Sequence, residues 1–165
     1  MTRVRLLREK DWPPVWRLME PVIRAGETYP YAPDMDNAGA RHMWLEQTEV
    51  AYVAETESGE LVGTYYIKPN QPMLGAHVAN CGYMVSENAR GHGVATLMCE
   101  HSQEEAVRRG YRAMQFNLVV KTNEASVHLW RKMGFDVVGT LTGAFKHATR
   151  GYVDAFVMYK VLMTD

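Results

Sequence analysis

The stretch from residue 77 to residue 120 constrains the fold most. Residues 77–86 read as a strand that runs into Arg90-Gly91-His92-Gly93-Val94-Ala95. From Gly93 the period changes from two to that of a helix, with Val94, Leu97, Met98 and His101 on one side. The helix ends near Gly110, and residues 112–120 read as a strand again. A strand–helix–strand unit makes its two strands parallel neighbours joined by a right-handed crossover. The turn into the helix also has a chemical meaning. Gly91 and Gly93 let the backbone turn tightly and come close to a ligand. The first N–H groups of a helix lack intrahelical partners and lie at the positive end of its dipole. Such a turn is suited to cradle a phosphate or pyrophosphate. It is not a P-loop, because no Lys-Ser/Thr follows the second glycine, and it is not G-x-G-x-x-G. An ordinary glycine-containing helix start is the other reading of the same residues.

Around this unit the pattern predicts further elements. Residues 3–8 alternate as a short first strand. Asp11 is expected to cap a helix whose apolar face is Trp12, Val15, Trp16, Met19, Val22 and Ile23, with Pro13 and Pro14 in the first turn. Pro21 is expected to kink it or end its first part. Residues 24–36, rich in Gly, Pro and Tyr, read as a loop, and Asp36 opens a second helix. Strands at 50–56 and 61–68 flank a turn at Ser58-Gly59 and form a hairpin. A helix at 123–132 ends at Gly134, and strands at 135–141 and 152–162 close the chain around a glycine-containing loop. The order β-α-α-β-β-β-α-β-α-β-β predicts an α/β fold. Its sheet is mixed and mostly antiparallel, with one parallel pair and helices on both faces.

A chain of 165 residues fits one domain, 1–165. Lys+Arg 18 against Asp+Glu 19 leaves no basic excess to draw the domain onto nucleic acid or an anionic membrane. No stretch approaches the ~20 apolar residues of a membrane span, and the first residues have no apolar signal core. Cys81 and Cys99 lack C-x-x-C spacing, so a reducing, cytoplasmic setting is expected. None of the six histidines has ligand spacing, so no metal is expected.

Arg90-x-x-Gly93-x-Ala95 resembles the [Q/R]-x-x-G-x-[G/A] signature of the GCN5-related N-acetyltransferases. The element order is similar to that fold along essentially the whole chain. Residues Asn123 to Phe135 resemble the family's second motif, N-x-x-A-x-x-L-Y-x-K-x-G-F, with the spacing after Asn123 read loosely. The resemblance implies acetyl-coenzyme A as donor; because the expected acceptor loop offers only Glu27, Asp34 and Asp36 as carboxylates, a small, amino-acid-like amine is expected as acceptor. The resemblance implies that the pyrophosphate lies on backbone N–H groups of Arg90, Gly91, His92, Gly93, Val94 and Ala95. It also implies that the parallel strands splay and that the pantetheine arm lies in the gap, bonded to the backbone of Met84 and Val85 and touched by Asn123. Many members carry a Tyr in the second motif as proton donor to the thiolate; here that position is Trp130, whose indole N–H has no useful acidity.

Asn80 and Asn117 fall inside strands near the expected split, where Asn is disfavoured unless it has a partner. Together with Asn123 they resemble the pattern of fungal acetyltransferases that act on proline analogues. As neutral groups that can bond a carboxylate or a small amine without competing for its charge, they are expected to divide the work: Asn80 binds an acceptor carboxylate, while Asn117 and Asn123 orient the amine and the thioester carbonyl. The plainer alternatives are a buried amide bonded to backbone for the first two and an N-cap for Asn123. Tyr29 and Tyr31 lie where the family builds its acceptor pocket, as an aromatic lid or as simple loop packing. Cys81 has no readable base beside it, so direct transfer in a ternary complex is expected. A non-catalytic acetyl-CoA-binding module remains the alternative, and whether two copies form a homodimer stays open.

Overall fold

The structure, a computed structural model, describes Met1–Thr164. Seven strands form one sheet in the order β1-β2-β3-β4-β5-β7-β6. They are β1 (Arg3–Leu6), β2 (Val50–Glu55), β3 (Leu61–Pro69), β4 (Val78–Val85), β5 (Ala113–Val120), β6 (Asp136–His147) and β7 (Gly151–Val161). The helices are α1 (Trp12–Ala25), α2 (Asn37–Arg41), α3 (Val94–Arg108) and α4 (Glu124–Lys132), and α2 runs on into one wider turn, His42–Glu46. Among the described residues only β4 and β5 pair in parallel; the other neighbours are antiparallel. The predicted order and the mixed sheet are those observed.

The period-two alternation of the central strands divides the core into two layers. On one face Trp12, Val15, Met19 and Ile23 of α1 pack with Trp44, Tyr66 and Met84. On the other, Met98 and Cys99 of α3 and Trp130 of α4 pack with Tyr65, Cys81, Tyr83 and Phe116. Tyr65 and Tyr66, adjacent in sequence, therefore look into opposite layers.

Two local expectations are corrected. Asp11 does not cap α1 with its side chain: the carboxylate accepts from the Arg8 backbone N–H at 2.7 Å and from Arg5 at 2.7 Å. The Arg5 guanidinium holds that carboxyl below its usual range. Across Pro21 α1 continues to Ala25, in keeping with the apolar face that includes Val22 and Ile23, and Ile23 in the last turn is buried at 2% exposure. Burial of that turn outweighs the missing N–H. β6 runs on past residue 141 to His147, since the register shift between Leu141 and Phe145 absorbs Gly143 as an irregularity and not as a loop. Gly143 has φ +61° and donates its N–H to Asp154 at 2.9 Å.

Candidate active site

The parallel pairing of β4 and β5 is short. Its register pairs are Val78↔Ala113 and Ala79↔Met114; beyond them Asn80–Val85 and Gln115–Val120 run on unpaired with each other. Asn80 stands at the fork, 7% exposed. Its Nδ2 donates to the Gln115 carbonyl at 3.0 Å, and its Oδ1 accepts from the Tyr66 hydroxyl at 3.2 Å. The Gln115 carbonyl is the acceptor that the next rung of the ladder, from the Cys81 N–H, would use. A side-chain amide has taken that rung, so the strands part here.

The open edge of β4 can be assigned by parity. Ser86 N–H bonds to Val62 O and Val78 O accepts from Asn70 N–H, so the even-numbered residues of this strand direct their backbone groups to β3. Met84, registered with Thr64, belongs to that set, and its backbone is turned away from the split. Val85 has the parity that faces the gap. Tyr83 has it as well, which the sequence did not signal. From the loop after α1 the Tyr29 hydroxyl meets this edge, donating to Tyr83 O at 2.5 Å and accepting from Tyr83 N–H at 2.7 Å.

At the mouth of the split the chain makes one short turn, Glu87–Ala89, and enters the glycine loop. The N–H groups of Arg90 and His92 bond locally, to Glu87 O and Ala89 O. Those of Gly91, Gly93, Val94 and Ala95 have no backbone partner among the described residues, and the first helical rung is Leu97 N–H to Gly93 O. Gly91 and Gly93 adopt φ +77° and +78°, and a Cβ added to either would meet nothing within 4 Å. These N–H groups lie without backbone partners at the positive end of a 15-residue helix. An edge able to pair with an amide-bearing arm, leading to a set of free N–H groups, matches the chemistry of coenzyme A.

The α1–α2 face carries the other predicted residues. Tyr29 and Tyr31 stack at 5.5 Å, Tyr29 meets Trp44 edge-on at 6.3 Å, and Trp44 meets Tyr66 at 4.8 Å. This aromatic wall ends on Asn80. Burial pushes the Tyr31 phenol up to about 12 and raises those of Tyr29 and Tyr66 further. Exposed Asn117 donates to Asn70 Oδ1 at 2.7 Å and accepts from Gln115 Nε2 at 2.9 Å, forming an amide rim beside the fork. Asn123 caps α4, with Oδ1 accepting from Ser126 N–H at 3.4 Å, and its amide nitrogen has no partner among the described residues. Tyr66, Asn70 and Gln115 were not anticipated; their places depend on the register of β3 against β4 and of β4 against β5.

Elsewhere, a groove of about 560 Å³ runs past Arg5, Asp11, Arg17, Leu61 and Ser86. It is lined by none of the predicted site residues, and its Arg5 is tied to Asp11 and Glu55. Burial pushes the Cys81 thiol far above the ordinary thiol range, so it holds no thiolate at neutral pH. Among the described residues no three His, Cys, Asp or Glu side chains group to hold a metal ion, and no helix is long and apolar enough to cross a membrane.

Removing the Asn80 amide should let the ladder zip further. Asn80→Ala is expected to weaken acetyl-CoA affinity about ten- to hundredfold, the value of one or two such hydrogen bonds. Calorimetric titration checks this, and unchanged affinity would remove Asn80 from the account of the split.

The splayed pair, the glycine loop and the sheet order find their counterpart in known proteins. Residues 9–135 match the acetyltransferase (GNAT) family model. N-acetyltransferase aca1 of Schizosaccharomyces pombe is 30% identical over 151 residues, covering 82% of this chain and 72% of that protein. A GCN5-related N-acetyltransferase from Kribbella flavida superposes with a TM-score of 0.91 at 39% identity, over 97% of each chain. A phosphinothricin acetyltransferase from Sinorhizobium meliloti, solved with acetyl-CoA, superposes at 0.86 and 16% identity over 97% of this chain and 88% of that one. The chain belongs to the GNAT family. It is an N-acetyltransferase, with acetyl-CoA as its acyl donor.

Proposed function

We propose that the chain moves the acetyl group from acetyl-CoA to the amine of a small, amino-acid-like acceptor, proline analogues included. The observation that carries this reading is the chemistry of the acceptor face. Neutral amides, Asn70, Gln115 and Asn117, gather beside the fork, and aromatic rings wall the rest. Lys68, registered opposite Asn80, lies 5.5 Å from the Tyr66 ring centre. An ammonium over the Tyr66 ring, whose hydroxyl meets Asn80, suits an acceptor that carries a carboxylate. Acceptors with several ammonium groups need clustered carboxylates instead, and here Asp36 is already capping α2. Asn117 and the free amide nitrogen of Asn123 orient the amine and the thioester carbonyl, Asn80 keeps the split open, and Tyr29 and Tyr31 wall the pocket.

Transfer is direct, within a ternary complex. Holding amine and thioester in near-attack geometry supplies most of the rate, without a covalent enzyme intermediate. Cys81→Ala is therefore expected to keep most of its activity, and mass spectrometry that trapped an acetylated Cys81 competent for transfer would overturn direct attack.

The acceptor is tested by thiol release from acetyl-CoA with amino acids, proline analogues, polyamines, aminoglycosides and peptides side by side. An amino-acid-like amine should lead in kcat/KM by at least about tenfold, or ~1.4 kcal/mol of transition-state stabilisation. A polyamine or peptide leading by that margin would sink the reading.

A further inference from the structure

Tyr29 is placed to do more than wall a pocket. Its hydroxyl reaches across 54 residues of sequence to the open edge of β4 and engages both backbone groups of Tyr83. A guest that pairs with that edge meets the same N–H and, beside it, the same hydroxyl. Trp130, at the position where the family's tyrosine would stand, is buried between Tyr83 and Phe116, at ring distances of 4.9 and 5.0 Å. Helix α4 therefore supplies no hydroxyl at that position. The Tyr29 ring is held by Tyr31 and Trp44, so its hydroxyl is preorganised.

We propose that the Tyr29 hydroxyl is a second donor to the oxyanion of the transfer reaction, beside the Tyr83 backbone N–H on the open edge. In the free enzyme the two donors satisfy each other's residue, which keeps neither orphaned. During transfer the amine lone pair forms the new C–N bond and the carbonyl π pair moves onto oxygen, where both donors meet it. That pair returns as the C–S bond breaks, the thiolate leaves with the bonding electrons, and the extra proton on nitrogen passes to solvent. Tyr29 keeps its proton throughout. Burial holds its phenol well above the ordinary range, which suits a hydrogen-bond donor and not an acid. The inference rests on acetyl transfer from acetyl-CoA and not on which amine accepts.

The test is Tyr29→Phe. Loss of one oxyanion donor lowers kcat about 100- to 1,000-fold, and acetyl-CoA affinity by calorimetry should stay within about threefold. A second readout is the infrared carbonyl band of bound acetyl-CoA labelled with carbon-13 at the carbonyl. In the wild type it should lie below its frequency in water, and in Tyr29→Phe it should move up. Coincident bands in the two proteins, a kcat within about threefold, or a loss confined to affinity would overturn the proposal. Should Tyr29→Phe fail to fold by circular dichroism, the wild-type band decides: a frequency equal to that in water overturns it. Failure of every amino-acid-like acceptor would sink the acceptor reading and leave the infrared result standing.

Discussion

Gly93→Asp is expected to weaken acetyl-CoA affinity more than about a hundredfold while the protein stays folded. The two halves of that expectation have separate causes. A Cβ at Gly93 meets no atom within 4 Å, so the side chain fits. The φ of +78° strains any L residue, by about 1–2 kcal/mol, and Asp and Asn tolerate it better than most. The fold survives that cost. The cradle does not, because its N–H donors and the α3 dipole are arranged for an anion. A carboxylate within about 4 Å of a phosphate charge costs ~4 kcal/mol at an effective dielectric of 20, close to a thousandfold. Gly93→Asn separates charge from shape, since it brings the same strain and nearly the same volume. It should bind at least about tenfold more tightly than the Asp variant, a difference of ~1.4 kcal/mol. Calorimetry with thermal melts checks both, and equal affinities for Asp and Asn would mean that the loop does not hold the phosphates.

Trp130 should separate structure from chemistry in the opposite way. The indole closes an aromatic run in which Phe116 also stacks on Phe135 at 4.4 Å, and it is 8% exposed. Trp130→Ala is expected to destabilise the fold by about 3–5 kcal/mol, the cost of emptying a large aromatic site. Trp130→Phe keeps the apolar contact and loses only the indole edge. Its kcat should fall less than about tenfold, ~1.4 kcal/mol of barrier. Denaturant unfolding and steady-state kinetics check the pair. A several-hundredfold drop in kcat for Trp130→Phe, at unchanged acetyl-CoA affinity, would show that the indole takes part in the reaction.

What could be read in the sequence was local. The period change at Gly93, the turn at Gly59, and the caps at Asp36 and Asn123 each depend on residues within a few positions, and each stands in the structure. The parallel pair followed from the length of the crossover between two strands. Errors arose where longer-range contacts overrode a local signal: the Asp11 carboxylate turns to Arg5 and Arg8 and does not cap α1, and β6 runs on through Gly143. The inner detail of the site was illegible for a different reason. Whether Met84 or Val85 faces the gap depends on register against β3, which no local pattern fixes. The bonds from Asn80 to Gln115 and from Tyr29 to Tyr83 join residues 35 and 54 positions apart. Asn80 drew notice as a polar residue inside a strand, but its partners were not readable.

The most direct test is an acetyl-CoA titration followed through the backbone amide resonances of the wild-type protein. Binding along the open edge of β4 and over the glycine loop should move Tyr83, Val85, Gly91, Gly93, Val94 and Ala95 most, and should move the β3-paired amide of Met84 less. Shifts centred on the groove at Arg5, Arg17 and Leu61, with the amides of Tyr83 and Gly93 unmoved, would contradict the assignment of the split as the donor site.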